Sequence, residues 1–435
     1  MKITFIRPNL GEYKSSDAMQ PLAIAVLDGL TPEGIETELY DDRIEEVPLD
    51  LETDILAISV ETFTARRAYS IASEYRKRGV YVIMGGYHPT FLPDEALEYA
   101  DTVIIGEAEG IWRQVVAEYK KGSCKKVYRN DNSNELGGIN YKRTLFRNKK
   151  YTMIYPVQYG RGCKFSCDFC SINAFYGNNL RQRPIKEVAT EIEELGQKYL
   201  FIVDDNFYID REKTKQFLKA LISLKVRWST QVSIDIANDQ ELLELMRKSG
   251  CMGVLIGFES LEAKNLEQMG KRVNMKNHEY AMAIKKIKDK GIMIYGTFVF
   301  GYDYDTKDSF KISLEFALEN KLLLANFNPL MPMPGTRLYS RLNKEGKLLY
   351  DRWWIDPGFR YGDAMFKPHG MTAEELTEGC KNARMDFNKY SSMLMRALDF
   401  KANCANPGNL GIYTLANLVS RREIRKKQGL RLGRE

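Results

Sequence analysis

Tyr159-Gly160-Arg161-Gly162-Cys163-Lys164-Phe165-Ser166-Cys167-Asp168-Phe169-Cys170-Ser171-Ile172 sets three cysteines in a CxxxCxxC spacing within one short loop, directly after an apolar run. Three thiolates make an incomplete metal site. A structural zinc site closes with four ligands, and a cubane iron–sulfur cluster takes one thiolate per iron, so three cysteines leave one iron open to a substrate. A zinc knuckle is the alternative, but Cys124, Cys251, Cys380 and Cys404 are scattered singly and none is an evident fourth ligand. Glycines on both sides of Arg161 let the loop backbone approach a cluster closely.

Around that loop the chain reads as a globular protein of several domains. Its 435 residues are 44% hydrophobic and 28% charged, enough for two or three cores. No segment approaches the ~20 apolar residues that span a bilayer. The N-terminus, Met1-Lys2-Ile3-Thr4-Phe5-Ile6-Arg7-Pro8, reads as a strand and not a signal peptide, so a cytoplasmic location is expected. Seven cysteines, three of them packed together, do not form a secreted disulfide framework. The net charge of +6 is modest and gathered near the C-terminus, which does not point to nucleic acid.

Upstream, over residues 1–125, apolar runs at Lys2–Arg7, Glu36–Tyr40, Ile55–Val60, Val80–Met84 and Thr102–Ile105 alternate with amphipathic stretches. Five strands with intervening helices predict a doubly wound parallel sheet, whose ligands bind beyond the carboxyl ends of the strands. The loops there include Ser59-Val60-Glu61-Thr62, Gly85-Gly86-Tyr87-His88-Pro89-Thr90 and Gly106-Glu107-Ala108-Glu109-Gly110. Residues 126–150 are polar and glycine-rich and read as a linker.

Downstream, over residues 151–345, six apolar runs alternate with helical patterns: Pro156–Tyr159, Leu200–Val203, Trp228–Ile234, Gly253–Phe258, Met293–Phe300 and Asn326–Met331. Pro184 is placed to open the first of those helices and Gly291 to stop the fourth. In barrels of this kind the active site lies at the C-terminal strand ends. Those ends read Asp204-Asp205-Asn206, Gly257-Phe258-Glu259-Ser260, Phe300-Gly301-Tyr302-Asp303 and Pro329-Leu330-Met331-Pro332.

The cysteine loop followed by six strand–helix repeats resembles the radical S-adenosylmethionine (SAM) superfamily and its partial (βα)6 barrel. The resemblance implies that Cys163, Cys167 and Cys170 hold a [4Fe-4S] cluster whose open iron chelates SAM, and that reductive cleavage of SAM yields a 5'-deoxyadenosyl radical. It implies that Phe169 packs near the adenine and Asp205 meets the SAM amino group with Asn206 beside it. Glu259 and Ser260 would contact ribose and methionine, Gly301 would admit a ligand, and Met331 would line the adenine and substrate side. The first domain, with its Gly-Gly-Tyr-His-Pro-Thr and Gly-Glu-Ala-Glu-Gly loops, resembles the cobalamin-binding domain that precedes many such barrels. That likeness implies that Gly85 and Gly86 let backbone approach the nucleotide tail, that Ser59 and Thr62 sit near it, and that His88 and Glu107 belong to the same loops. The DxHxxG motif that supplies a cobalt ligand from below is absent; His88, followed by Pro89, reads as shaping the turn or touching the corrin.

Residues 346–435 read as a helical extension. Arg352-Trp353-Trp354-Ile355-Asp356-Pro357-Gly358-Phe359 is either a lid on the barrel mouth or an interdomain core, and Thr372–Arg396 reads as a helix capped by Thr372. Ile412, Leu415, Leu418 and Val419 lead into Arg421-Arg422-Glu423-Ile424-Arg425-Lys426-Lys427. This cationic segment either docks on the barrel or lies peripherally on the inner membrane face, in which case a lipid substrate follows. The whole resembles a cobalamin-dependent methyltransferase acting on an unactivated carbon of a small molecule or lipid, supplied with electrons by a flavodoxin or ferredoxin. Radical cyclisation, rearrangement or carbon–carbon coupling without methyl transfer is the runner-up, and a non-catalytic iron–sulfur or zinc protein the third reading.

Overall fold

Between Lys2 and Arg129 the apolar runs become parallel strands β1 (Lys2–Arg7), β2 (Glu36–Asp41), β3 (Ile55–Ser59), β4 (Tyr81–Gly85), β5 (Thr102–Ile105) and β6 (Val127–Arg129). The structure, a computed structural model, describes residues 1–130, 135–208, 210–275 and 280–434, the side chains of Arg272 and Met275 excepted. The strands lie in the order β2-β1-β3-β4-β5-β6. One face packs Ile3, Phe5 and Ile104 against the helices Leu22–Leu30 and Trp112–Lys120; the other packs Leu56, Ile58 and Met84 against the helix Ala65–Lys77. The chain reverses direction across the sheet between β1 and β3, and a doubly wound sheet opens its ligand crevice at such a switch point.

β6 lies inside the segment that reads as a linker. Only Tyr128 of its three residues is buried, so its apolar pattern is too short to stand out from a polar stretch. Residues 131–134 of that segment lie outside the described residues.

The second half begins with β7 (Tyr155–Val157), then an antiparallel pair, β8 (Gly160–Arg161) and β9 (Arg181–Gln182), that carries the cysteine loop between its strands. β10 (Tyr199–Ile202), β11 (Arg227–Val232), β12 (Cys251–Glu259), β13 (Met293–Phe300) and β14 (Leu324–Pro329) complete an open parallel sheet in the order β14-β13-β12-β11-β10-β7. Phe258, Phe298 and Phe327 stack across three neighbouring strands at 5.6 and 5.3 Å and anchor its core. Pro184 sits one place ahead of the first helix, Ile185–Leu195, with an extended ψ of 127°. Gly291 takes a positive φ of 77° past the end of the helix Tyr280–Lys288.

The Thr372 cap forms with Glu375 as its reciprocal partner, but the helix it opens ends at Phe387. Asn388 bonds back to the Arg384 carbonyl, Lys389 is extended, and a second helix runs Tyr390–Ala397. Trp353 and Trp354 are buried with Phe359 in the core of the first sheet, Trp353 lying 4.8 Å from Phe63, so this cluster joins the domains and is not a lid. No described helix is long and apolar enough to cross a membrane.

Candidate functional site

The cysteine loop is held by its backbone. Gly162 takes φ +90°, and a Cβ there would lie 2.2 Å from the Asn179 carbonyl oxygen, so only glycine fits. Asp204 accepts from the Tyr159 N–H at 2.8 Å, and Asp205 Oδ2 accepts from the Gly162 N–H at 2.7 Å. Burial pushes these carboxyls up, to about 7 for Asp204 and about 6 for Asp205. Asn206 Nδ2 lies 3.9 Å from Cys163 Sγ and 3.4 Å from Ser233 Oγ. The three residues at the end of β10 thus all reach the segment Tyr159–Cys163.

Cys167 is buried while Cys163 and Cys170 are partly exposed. Burial pushes the Cys167 thiol up to about 12, with the nearby Lys271 opposing, and raises Cys170 as well. Thiols in such surroundings ionise when a bound cation compensates the desolvation. Among the described residues no three metal-ligating side chains converge as they would around one ion. The donor set, three thiols on one loop with an amide beside the first, fits a multi-iron cluster better than a single tetrahedral zinc.

Glu259, at the end of β12, has φ +62°, a conformation that costs a non-glycine residue of order 1 kcal/mol or more. Its Oε1 lies 3.0 Å from Lys271 Nζ. Lys271 was not singled out from the sequence, where a lysine in a polar turn looks solvated. It is largely buried, and Glu259, Cys167 and Cys163 hold its ammonium above the usual lysine range against desolvation. In the turn before it, the Met269 carbonyl accepts from the Asp168 N–H at 3.1 Å and pins this turn to the cysteine loop, a contact no sequence pattern marks. Phe169 packs on the barrel core.

Three strand-end residues face elsewhere. Ser260 Oγ is engaged by the Glu262 N–H at 3.1 Å and Asn265 Nδ2 at 3.4 Å, as a turn residue. Gly301 is approached by the Phe366 ring, whose Cζ stands 2.7 Å from where a Cβ would be, so the space expected for a ligand is filled by protein. Met331 packs on the first-domain core beside the tryptophans.

Facing the loop from the first domain is a cavity of about 510 Å³. Ser59, Gly85, Gly86 and Glu107 line it from the ends of β3, β4 and β5, and Arg161, Phe175, Tyr176 and Asp205 line it from the barrel. It extends between the sheet and the helix Leu22–Leu30, past Ala57, Ile83 and Ile104. Gly86 has φ +106°, with the Val60 carbonyl 2.8 Å from a would-be Cβ. Thr62 and His88 do not line this space. His88 is fully buried, its Nε2 lying 2.9 Å from Tyr69 Oη and 3.1 Å from Glu95 Oε1, because the short helix Tyr87–Phe91 turns Tyr87 to the cavity and His88 away. Glu107 is committed to the opposite domain: Arg161 Nη1 lies 2.5 Å from Oε1 and Arg181 Nη1 2.6 Å from Oε2, and Arg161 also meets Glu109 at 2.6 Å. It is wall and clamp at once. A slot reaching into the sheet at its switch point, walled by glycine backbone, suits a large cofactor with a nucleotide tail.

Residues 157–317 match the family described as the Radical SAM superfamily, and residues 15–116 match the B12 binding domain. The chain thus carries a radical SAM domain behind a B12-binding domain. Among curated relatives, this chain is 29% identical over 395 residues to bacteriochlorophyllide d C-12(1)-methyltransferase of Chlorobaculum tepidum, covering 88% of this chain and 85% of that one. It is also 29% identical over 352 residues to bacteriochlorophyllide d C-8(2)-methyltransferase of the same organism, covering 76% and 78%. Its fold is that of the radical SAM methyltransferase TsrM from Kitasatospora setae, solved with cobalamin and a [4Fe-4S] cluster bound, at a TM-score of 0.69 and 14% identity over 98% of this chain and 99% of that one.

Proposed function

We propose that the chain is a cobalamin-dependent radical SAM methyltransferase that places a methyl group on an unactivated carbon of a small molecule. The observation that carries this reading is a cavity walled by β3–β5 strand ends on one side and, on the other, by Arg161, Phe175, Tyr176 and Asp205, which flank the cysteine loop. Cys163, Cys167 and Cys170 would hold a [4Fe-4S] cluster, which would supply the electron for SAM cleavage, and the cavity would hold cobalamin, which would supply the methyl group. Glu259 and Lys271 present opposite charges beside the thiols, suited to the ammonium and carboxylate of a zwitterion such as SAM. Asp204 and Asp205 hold the loop backbone in place. Ser59, Gly85 and Gly86 leave room for the cobalamin tail.

The same reading divides the chain into a cobalamin-holding unit ending with β6, a connecting segment to Lys150, a radical unit to Glu345 and a helical extension. It sets the enzyme in the cytoplasm, drawing electrons from a flavodoxin or ferredoxin.

The test is protein reconstituted anaerobically with iron, sulfide and hydroxocobalamin, followed by its visible spectrum, its cobalamin content and its reaction with methyl-labelled SAM. Near one cobalamin per chain beside a cluster signal, with label passing from SAM to bound cobalamin, supports methyl transfer. A cluster that cleaves SAM in a chain that retains no cobalamin overturns it in favour of radical cyclisation, rearrangement or coupling.

A further inference from the structure

The helices Tyr390–Ala397 and Pro407–Lys427 are built inside out. Arg396 is fully buried, donating to the carbonyls of Leu322, Leu323 and Phe387 and to Asn417 Oδ1. Asn417 donates onward to the Leu323 carbonyl, Asn409 to Ala402 and Tyr413 to Met393. Arg396 and Asn417 thus close the Leu322 and Leu323 carbonyls just ahead of β14, at the N-terminal end of that barrel strand and opposite the cysteine loop, while the remaining bonds tie the helical extension to itself. Several of the large apolar side chains face water instead. Leu394 is 72% exposed, Phe400 73% and Leu415 64%, with Tyr390, Leu398 and Leu418 exposed beside them.

This face is continuous and has one sign of charge. Tyr390 and Leu394 lie four residues apart on one helix, with Leu398 just past its end; Leu415, Leu418, Arg422 and Arg425 recur at three- and four-residue steps on the other. The Arg421 guanidinium joins the two, stacked 4.3 Å over the Tyr390 ring. Between residues 388 and 434 the acidic side chains are Asp399 and Glu423; both are buried, Asp399 against Lys288 and Glu423 against Lys426 and Lys427. The acids that neighbouring elements bring close are already paired: Asp289 with Lys285 and Lys401, Asp386 with Lys389, Asp17 with Lys427. Arg422 and Arg425 are exposed.

We propose that the outer face of the helices Tyr390–Ala397 and Pro407–Lys427, with Phe400 between them, docks on an anionic lipid surface. An exposed apolar ridge flanked by cations matches the acyl–headgroup boundary of an anionic bilayer. A second copy of the chain is the poorer occupant, because a two-fold contact would set these cations against themselves. The docking is independent of the chemistry proposed at the cavity.

The test is flotation of the full chain with vesicles of phosphatidylcholine alone and of phosphatidylcholine and phosphatidylglycerol in equal parts. Binding to the anionic vesicles that weakens with added salt is expected. Arg422→Glu with Arg425→Glu, and separately Leu394→Ser with Phe400→Ser, should each lower that binding by about tenfold or more, at unchanged melting temperature. No flotation with anionic vesicles overturns the proposal, as does equal binding to neutral ones. A stable dimer dissolved by Leu394→Ser also overturns it and assigns the face to a second copy.

Discussion

Asp205 Oδ2 accepts a 2.7 Å hydrogen bond from the Gly162 N–H, so a side chain at the end of β10 that lines the cavity also fixes the residue before Cys163. Leaving a buried N–H unpaired costs about 1–3 kcal/mol. Asp205→Ala should therefore lower cluster affinity by roughly tenfold or more, whereas Asp205→Asn, which keeps an acceptor oxygen, should lose much less. Iron and sulfide content after reconstitution decides; equal loading in both variants removes Asp205 from this role.

Cys163→Ala, Cys167→Ala and Cys170→Ala should each abolish the cluster and SAM cleavage. Cys124→Ala should not, because its thiol lies in the first domain, 3.7 Å from the Val115 carbonyl. The visible spectrum and 5'-deoxyadenosine yield measure both effects. A normal cluster in any of the first three sinks the assignment.

Gly86→Val should destabilise the first domain by about 1–3 kcal/mol, from its positive φ and the Val60 carbonyl in the way, and should lower cobalamin retention. Gly85→Val is the informative partner. A Cβ at Gly85 meets only Ile104 at 3.7 Å, so its branches grow into the cavity and should cut retention with little change in melting temperature. Full retention in both variants moves the cofactor elsewhere.

Asp305 accepts from the Gly301 N–H at 2.8 Å, the Tyr302 N–H at 3.1 Å and Asn265 Nδ2 at 2.9 Å, and burial pushes its carboxyl up to about 6. An unfolded aspartate ionises near pH ~4, so the folded chain keeps this proton where the unfolded chain has lost it. The resulting stability is complete below that value and is lost as pH rises through about 6. The unfolding free energy of the wild type relative to Asp305→Asn should fall by roughly 2–3 kcal/mol from about pH 4 to 7. Urea titrations across that range give the answer, and a flat difference refutes it.

The loop of three cysteines and most strands were legible because each strand is a short, nearly continuous apolar run, as fully covered parallel strands must be. What was hidden depended on partners far along the chain. Glu107 reads as a cofactor contact from its place after β5, yet its charge answers Arg161 and Arg181, which lie 54 and 74 residues away. Lys271 looks like a solvated turn lysine until Glu259 is found beside it. The C-terminal helices defeat periodicity outright, since Asn409, Tyr413 and Asn417 occupy the inner face that the apolar pattern assigns to leucines.

The clamp between Glu107, Arg161 and Arg181 limits how such a protein can be recombined. Its two arginines sit on the cysteine-bearing hairpin, and their counter-charges arrive with the other domain. A graft that exchanged the first domain for one from another protein would strand two buried guanidinium groups unless the donor carried an acidic pair in the same loop, and breaking a buried pair costs about 3–5 kcal/mol. Chimeras of these halves should therefore sort by that loop, whatever their overall likeness.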